Sequence, residues 1–381
     1  MKALRIAFIT PFSPLKGGIS RFSGLLREAL SAMGYDVISV GYRALYPAFL
    51  FKRSAEAAEA PAPSSSLSDA RLTLYNPFTW LATIHHLRRL KPDLLLVAYW
   101  SGFLAPLCYL LRHLTGIRVV VLLHNFTSHE SFFIEPFMQR LLAASSDAFL
   151  TLSSAVSREL LAVVPGARVL QLFHPLYLPE AVMPFRAEAR RALKLDGAAP
   201  VLLFFGYVRH YKGLDLLLRA LPEVLQREPS LKLVVAGEFF EDPEHYRSLI
   251  LELGLAESVD LYPGYVSRER SALLFAAAEC VVLPYRSATQ SGVVQQAYGC
   301  GIPVIVTPVG ALPEVVRQGI TGWIARESSA AGLAGAIGEF LDSRSELPAI
   351  HAAVEEYCRE FSWEAFAAGA GRFLETEASR T

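Results

Sequence analysis

The strongest constraint on the fold is an alternation that runs along most of the 381 residues. Apolar runs of four to six residues, such as RIAFIT (5–10) and VLLFFG (201–206), are each followed by a segment with helical spacing of apolar residues. Strands that are apolar throughout are buried on both faces, and the helices between parallel strands supply that cover. The alternation therefore predicts an α/β protein built from doubly wound parallel sheets.

The alternation stops near residues 175–190 and then starts again. This stretch holds three prolines and no strong period, which is typical of a linker between domains. We expect two Rossmann-like domains, residues 1–180 and 181–360, that face each other across a cleft. A final helical segment, residues 361–381, follows them.

Composition narrows the classes of function. The net charge is zero, with 36 basic and 36 acidic residues, which argues against nucleic acid as the main partner, since phosphate binding usually needs a basic surplus. The apolar stretch 94–111 is interrupted by Ser101, Gly102 and Pro106, which predicts a strand, a turn and a helix rather than a membrane span. The N-terminal residues have no signal-peptide pattern and the four cysteines no CxxC spacing, so we expect a reducing, cytoplasmic location.

Residues that directly follow predicted strands are the first candidates for a site, because ligands of open parallel sheets bind at the carboxyl ends of the strands. Gly17 and Gly18 follow the first strand, where a turn into a helix can present backbone N–H groups to a phosphate or polar ligand. A plain tight turn is the ordinary alternative. His124 ends the strand VVVLLH, and at that position we expect it to face the cleft rather than the core.

Two cations follow the first strand of the second half. Gly206 ends this strand, and Arg209 and Lys212 lie in the turn that leads to the next helix. Two cations beside a helix N-terminus form a clamp suited to a diphosphate. Exposed loop cations are the ordinary alternative, but the glycines at 206 and 213 favour the clamp.

Two further turns of the second half carry polar groups. VVAGE places Glu238 after the next strand, and TQSGVVQQ opens a short helix that Ser291 or Thr289 can cap. Gly292 permits close approach of an anion, and Gln296, one turn later, can bind hydroxyl groups. An ordinary capped helix explains this stretch too, but several such turns at one sheet edge favour a ligand site.

Together these residues resemble glycosyltransferase family 4, whose members are retaining enzymes of the GT-B fold. The resemblance covers nearly the whole chain. It rests on Gly17-Gly18, His124, FFGYVRHYKG, VVAGE and GYVS, and most specifically on QAYGCGIPVIVTPVGALPEVV followed by GITGWI. It implies two Rossmann-like domains and a final helix, near FSWEAF, that returns to the first domain.

The resemblance implies transfer of a sugar from a nucleotide diphosphate donor, with no metal ion and no other cofactor. Arg209 and Lys212 would neutralise the leaving diphosphate, aided by backbone N–H groups from Ser291 to Val293. His124 would contact the donor sugar near its reacting centre. The leaving phosphate would take the acceptor's proton, so no separate general base is expected.

The remaining site residues follow from the same resemblance. Gly17 and Gly18 would approach the phosphate or the acceptor from the first domain. Gly206 and Glu238 would lie on the donor side, in the turns beside the two cations. Closure of the domains around the donor would exclude water that could hydrolyse it.

The sequence also departs from the family pattern. The family often carries two glutamates eight positions apart, and Ala288 and Gln296 occupy these positions. The arginine that usually follows the glycine of the cation turn is replaced by Tyr207, with Arg209 as its substitute. Gln296 can still bind ribose hydroxyls as a neutral group, and Gln290 could supply the missing polar contact.

The resemblance implies a cytoplasmic enzyme that transfers a sugar to a glycan or lipid-linked acceptor in polysaccharide or glycolipid biosynthesis. The stretch ALYPAFLFKR (44–53) suits peripheral contact with the inner face of a membrane, although a partly buried helix fits it equally well. Two alternatives stay open: a non-catalytic partner subunit that binds a nucleotide or glycan, and a nucleotide-sugar epimerase. The sugar, the base and the acceptor are not defined by the sequence.

Overall fold

The structure is a computed structural model that describes residues 3–15, 17–45, 69–127 and 133–380. The stretch 44–53, for which the sequence allowed a membrane contact, lies outside the described residues from position 46 onward. The chain divides into two compact units, which are residues 1–173 together with 363–381, and residues 174–362.

The first unit is built on a seven-stranded sheet in the order β3-β2-β1-β4-β5-β6-β7. Every neighbouring pair of strands in it is parallel. Its strands are β1 (Arg5–Ile9), β2 (Asp36–Ala44), β3 (Asp69–Thr73), β4 (Leu94–Tyr99), β5 (Val119–Leu123), β6 (Ala148–Thr151) and β7 (Val169–Gln171), and its helices are α1 (Gly18–Ala32), α2 (Pro77–Leu90), α3 (Ala105–Thr115), α4 (Glu135–Ala144), α5 (Ser154–Val163) and α13 (Trp363–Ala378).

Helices cover both faces of this sheet, as its apolar strands require. All six residues of β4 are buried, so neither face of the central strand meets water. One apolar cluster joins the sheet to α2 and α3, and a second joins it to α1 and α13. In the second cluster Phe22 and Leu26 of α1 lie with Phe366 and Leu374 of α13.

The last helix is tied to the first unit by a buried ion cluster. The Glu377 side chain is fully buried, and its carboxylate accepts hydrogen bonds from Arg118, at 3.1 Å, and from Arg168. These arginines directly precede β5 and β7, so the carboxylate anchors α13 at the amino ends of two strands. A buried carboxylate is tolerated because charged hydrogen bonds compensate its lost hydration.

The second unit is built on a six-stranded sheet in the order β10-β9-β8-β11-β12-β13. It is also parallel throughout. Its strands are β8 (Val201–Phe205), β9 (Lys232–Gly237), β10 (Val259–Pro263), β11 (Cys280–Leu283), β12 (Val304–Val306) and β13 (Gly322–Ile324), and its helices are α6 (Arg186–Ala192), α7 (Leu214–Arg227), α8 (Pro243–Glu252), α9 (Arg268–Ala277), α10 (Gly292–Gly299), α11 (Ala330–Asp342) and α12 (Leu347–Cys358).

The division between the units differs from the sequence boundary at residue 180, because the segment from residue 174 belongs to the second unit. The Leu176 backbone N–H donates to the Phe361 carbonyl at 3.0 Å. The Tyr177 carbonyl packs so closely on Gly299 that a Cβ there would lie 2.2 Å from its oxygen. These contacts hold the proline-rich segment on the second unit.

The eight apolar runs that predicted strands are β1, β4, β5, β6, β8, β9, β11 and β12. The stretch 94–111 forms β4, a single 3-10 turn and most of α3, as its breakers predicted. The alternation also predicts a helix at LPEVVRQ, after β12, but this segment forms only a 3-10 turn, at Leu312–Val315. Within the described ranges, none of the helices has the length and apolar character needed to cross a membrane.

Candidate functional site

The second unit brings the predicted turns together at the carboxyl edge of its sheet. The turns after β8 and β9 are joined by a parallel bridge, in which the Val208 N–H donates to the Glu238 carbonyl at 2.9 Å. The turn after β8 also lies close to α10, because a Cβ added to Gly206 would be 3.5 Å from Val293 Cγ2. Gly206, Glu238 and Val293 therefore belong to one edge of one unit.

The turn that carries the two cations is fixed by a glycine. Residues His210–Lys212 form a 3-10 turn, and Gly213 follows with φ of +67°. A Cβ at Gly213 would lie 2.0 Å from the Pro284 carbonyl oxygen, so only glycine allows this turn to approach the loop after β11. The local sequence thus brings Lys212 against a neighbouring strand end.

An ion pair braces the same two segments. Arg286 donates two hydrogen bonds, both 2.7 Å, to the Asp215 carboxylate at the start of α7. Burial alone would raise the pKa of Asp215, but the Arg286 hydrogen bonds and charge hold it below its usual value. The Arg286 N–H also donates to the Tyr211 carbonyl at 2.8 Å. Such paired geometry fixes the two loops more firmly than a single contact.

Arg209 lies over an aromatic ring. Its guanidinium carbon is 4.1 Å from the centroid of Phe240, in the turn after β9. Phe240 packs edge-on with Tyr207, with centroids 5.1 Å apart. Tyr207, which stands where the family usually has an arginine, thus supports the ring that holds Arg209.

The Lys212 ammonium also lies over an aromatic ring. Its Nζ is 3.8 Å from the centroid of Tyr285 and 5.2 Å from that of Tyr211. Burial lowers the pKa of Lys212 to about 8, because a desolvated ammonium is less stable than a hydrated one. A bound anion would stabilise the protonated form of Lys212 and raise its pKa again. The Lys212 ammonium is therefore suited to bind an anion.

The helix α10 begins at this edge without a side-chain cap from Ser291. Ser291 occupies the N-cap position, but its side chain makes no capping hydrogen bond, and its Oγ lies 3.2 Å from the Tyr285 hydroxyl. The prediction that Ser291 caps through its side chain is therefore wrong, because the hydroxyl is engaged elsewhere. Thr289 lies two residues before this N-cap position.

Gly292 approaches a side chain of its own unit, since a Cβ there would lie 3.1 Å from Tyr177 Cε2. The polar residues around it have different surroundings. The Gln296 amide donates to Ser271 Oγ of α9 at 3.0 Å. Gln290 is half-buried in the preceding loop. The expected role of Gln296 toward ribose hydroxyls stays a prediction, with one of its hydrogen bonds already made to a helix.

Ala288, at the position of a family glutamate, belongs to an apolar cluster. Its side chain is 8% exposed and packs in the core of the second unit. Gly310, with φ of +55°, closes over it so tightly that a Cβ would lie 1.4 Å from the Ala288 carbonyl oxygen. The small apolar side chain is therefore consistent with its local packing.

In the first unit, Gly17 and Gly18 form the turn from β1 into α1. Gly17 is the N-cap with φ of +124°, a conformation that favours glycine, and Gly18 is the first helical residue. A Cβ added to either would meet nothing within 4 Å among the described residues. Here the glycines provide an unusual backbone conformation and open space, rather than a close internal contact.

His124 differs from the expected orientation. It follows β5, but its side chain is 4% exposed and its ring packs edge-on against Phe22, with centroids 5.0 Å apart. Phe22 in turn packs on Trp363 of α13 at 5.0 Å. The aromatic side chains of α1 and α13 bury this strand end, so the expectation that His124 faces away from the core is corrected. Its role toward a sugar stays a prediction.

The structure thus groups the second-half residues at one sheet edge, and places Gly17, Gly18 and His124 on the first unit. Sequence reasoning missed the supporting residues Tyr285 and Phe240, since each acts on a cation in another turn. The only local signal was an aromatic residue just after a strand.

Two doubly wound parallel units with polar turns at the strand ends define the GT-B class. Solved structures agree on the fold. Sucrose-phosphate synthase from Thermosynechococcus elongatus has a TM-score of 0.77 at 19% identity, covering 98% of both chains. HepE from Anabaena, in complex with UDP, has a TM-score of 0.74 at 16% identity, covering 98% of this chain and all of the other. These likenesses confirm the predicted fold class.

The family follows from two models that together match most of the chain. Residues 17–175 match the model described as "Glycosyl transferase 4-like domain", and residues 199–343 match "Glycosyl transferases group 1". The chain belongs to glycosyltransferase family 4. The family and the enzyme class predicted from the sequence are confirmed at that level.

Curated relatives carry glycosyltransferase names as well. D-inositol 3-phosphate glycosyltransferase 1 of Catenulispora acidiphila is 33% identical over 229 residues, covering 58% of this chain and 52% of the relative. The D-inositol 3-phosphate glycosyltransferase of Segniliparus rotundus is 30% identical over 295 residues, covering 71% and 63%. The matches therefore span about half to two thirds of these relatives' length.

Proposed function

We propose that the protein transfers a sugar, with retention at the anomeric carbon, from a nucleotide diphosphate sugar to an acceptor. The observation that carries this proposal is the pair of ring-supported cations, Arg209 and Lys212, beside the start of α10. HepE, a structural relative, was solved with UDP and with UDP-glucose, which supports a nucleotide-sugar donor.

The chemistry follows from where charge develops. As the bond between the sugar and the leaving phosphate loosens, negative charge grows on the diphosphate, and fixed cations stabilise it. Backbone N–H groups from Ser291 to Val293 add to this stabilisation. A phosphate oxygen of the leaving group takes the acceptor's proton, so the residues of the site supply charge and orientation. No metal ion is required in this scheme.

The other predicted residues receive roles consistent with their positions. Glu238 lies in the turn after β9, Gln290 in the loop before α10 and Gln296 in α10 itself, and all three would bind hydroxyl groups of the donor. Gly17 and Gly18 leave open space where a phosphate or acceptor could approach the backbone.

The acceptor is proposed to be a glycan or a lipid-linked molecule in polysaccharide or glycolipid biosynthesis. Support comes from exposed aromatic side chains at the first turns of helices in the first unit. Phe78, Phe103 and Phe137 are 80%, 52% and 63% exposed. Such side chains suit an apolar acceptor and peripheral contact with the inner face of a membrane, and a cytoplasmic location is part of this proposal.

The experiment is release of nucleoside diphosphate from a panel of nucleotide sugars, with and without lipid and glycan extracts as acceptors. We expect release with at least one donor, dependent on acceptor, and an anomeric configuration by NMR that matches the donor. An inverted anomer would contradict retention. A changed sugar without acceptor would indicate an epimerase, and binding without any turnover would indicate a non-catalytic partner subunit.

A further inference from the structure

Tyr285 occupies a central position in the candidate site that the proposed chemistry does not use directly. It follows β11, and its side chain is 2% exposed. One face of its ring lies under Lys212, with Nζ 3.8 Å from the centroid. Its hydroxyl lies 3.2 Å from Ser291 Oγ at the start of α10. One side chain therefore touches both the cation and the helix end.

We propose that Tyr285 is a positioning residue for donor binding, which holds the Lys212 ammonium over its ring and couples it to the first turn of α10. This inference rests on the proposed function, since it assigns Lys212 to the diphosphate of a donor. Tyr285 itself does not need to touch the substrate.

An aromatic ring is better suited than a carboxylate to position the Lys212 ammonium for a diphosphate. In the part of the chain that the structure describes, no carboxylate forms an ion pair with Lys212, and the nearby Asp215 is bound bidentately by Arg286. A carboxylate partner would neutralise the ammonium and compete with an incoming diphosphate. A ring face stabilises the ammonium but leaves its net positive charge in place. This stabilisation is strongest where water is excluded.

The backbone of Tyr285 is also fixed. Its carbonyl accepts hydrogen bonds from Thr307 Oγ1 at 2.6 Å and from Ser328 Oγ at 3.0 Å. The next residue, Arg286, is hydrogen-bonded to the cation turn through its own N–H. A side chain on so constrained a segment holds its position when the ligand binds, which is what preorganisation requires.

The inference has a pH signature, because a ring that stabilises the ammonium keeps Lys212 protonated to higher pH. Lys212 has a pKa of about 8, with burial as the largest cause. The groups that act on this pKa are Tyr211, which raises it, and Arg209, which lowers it, and Tyr285 is the further titratable side chain in contact with Lys212. The affinity for a diphosphate should be highest below pH 8 and fall as the pH rises through it, since the anion needs the protonated form.

The experiment measures binding of UDP, ADP, GDP and dTDP by calorimetry between pH 6 and pH 10. In the wild type we expect affinity to fall above about pH 8. In Tyr285→Leu we expect this fall to move down by about one pH unit, because the cation loses its ring contact, with affinity about twofold weaker at pH 7 and about tenfold weaker at pH 9. Tyr285→Phe keeps the ring and should keep the position of the fall.

The matched control is Tyr357→Leu, which removes a buried tyrosine of α12 whose ring centroid lies 4.2 Å from the guanidinium carbon of Arg317 rather than under Lys212. It should leave the pH profile unchanged. Replacing Tyr285 by phenylalanines of increasing fluorination provides a second test that keeps shape and packing. The fall should move stepwise to lower pH as the ring loses negative potential.

An unchanged profile in Tyr285→Leu or in the fluorinated series, together with lost binding in Lys212→Ala, would overturn the role of Tyr285 and leave the donor-site proposal standing. Absence of binding to UDP, ADP, GDP and dTDP alike in the wild type would instead overturn the donor-site proposal. The two failures are therefore distinguishable.

Discussion

The carboxyl edges of the two sheets offer a ligand very different surroundings. In the second unit, that edge carries Arg209 and Lys212, each placed over an aromatic ring. In the first unit, it carries the open glycine turn at 17–18 and His124, which is buried against Phe22. The same doubly wound topology is thus used twice, and Arg209, Lys212 and the rings under them belong to the second copy.

The difference indicates a division of work under the proposed function. Binding of a highly charged diphosphate needs fixed positive charge, which the second unit supplies. The first unit has backbone space and exposed aromatic side chains, which suit an acceptor with apolar character. Four experiments test whether the two units differ in this way.

The largest effect is expected from removing both cations. Arg209→Ala combined with Lys212→Ala should lower kcat/KM by about a thousandfold or more, because each donor to a developing negative charge contributes about a hundredfold or more. The measurement is steady-state release of nucleoside diphosphate. If the second unit binds the diphosphate, the affinity for UDP or ADP should also fall in this double variant.

The matched change in the first unit is His124→Ala. It should lower turnover while changing nucleoside diphosphate affinity by less than about threefold, since His124 lies on the other unit. If His124→Ala weakened nucleoside diphosphate binding as much as the double variant, the division between the two edges would be wrong.

The second prediction compares the amino edges, where each unit holds a buried glutamate between arginines. Glu377 is bound by Arg118 and Arg168, and Glu279 by Arg190 at 2.8 Å and Arg344 at 2.9 Å. Glu279→Ala should lower the free energy of unfolding of its own unit by about 3 kcal/mol, because the buried Arg190 loses its partner. Glu377→Ala should have a smaller effect on the first unit, because Arg118 and Arg168 are partly exposed and can be hydrated.

Hydrogen exchange resolved by peptide would measure this effect. Glu377→Ala should increase exchange in the strands of the first unit, and Glu279→Ala in those of the second. The corresponding Gln variants keep the shape and part of the hydrogen bonding, so their effect should be smaller. Equal loss of protection in both units from either change would refute independent anchoring.

The third prediction concerns pH. With a pKa of about 8 for Lys212, wild-type affinity for UDP or ADP should fall about tenfold per pH unit above pH 8, as the unbound lysine loses its proton. Lys212→Arg should show no such fall, because arginine stays charged throughout this range. A steep fall in the arginine variant would assign the titration to another group.

The smallest effect is expected at Phe240. Phe240→Leu removes the ring under Arg209 and should weaken nucleoside diphosphate affinity about threefold to tenfold, in line with a cation–π contact of about 1 kcal/mol. The control is Phe185→Leu, which alters an 80% exposed phenylalanine at the start of α6. Equal effects of the two changes would argue against the ring contact.

The sequence predicted the centre of each sheet better than its edges. The strands it identified, β1, β4, β5, β6, β8, β9, β11 and β12, form the interior of the two sheets. The edge strands β3, β7, β10 and β13, together with β2, were missed. Segments such as DARLT and VDLYP mix polar and apolar residues, because an edge strand is less fully covered.

The candidate site was predicted only where the signal is local. A glycine or a cation directly after an apolar run is visible in the sequence, and this was sufficient for Gly206, Arg209 and Lys212. The ring under Lys212 and the partner of Gln296 depend on contacts between separate turns and helices. The Glu377 carboxylate binds Arg168 and Arg118, which lie 209 and 259 positions earlier in the chain. No local pattern in the sequence can reveal contacts over such separations.

The return of α13 to the first unit bears on the order in which the chain can fold during synthesis. Phe366, Ala367, Ala370 and Leu374 complete an apolar cluster whose other buried members lie between Ile6 and Leu152, and the whole second unit is made in between. The second unit can therefore form its core on the ribosome before the first unit is complete. During this time one face of the first sheet is not yet covered by α13. Until α13 emerges, that face is a site where chaperones could bind.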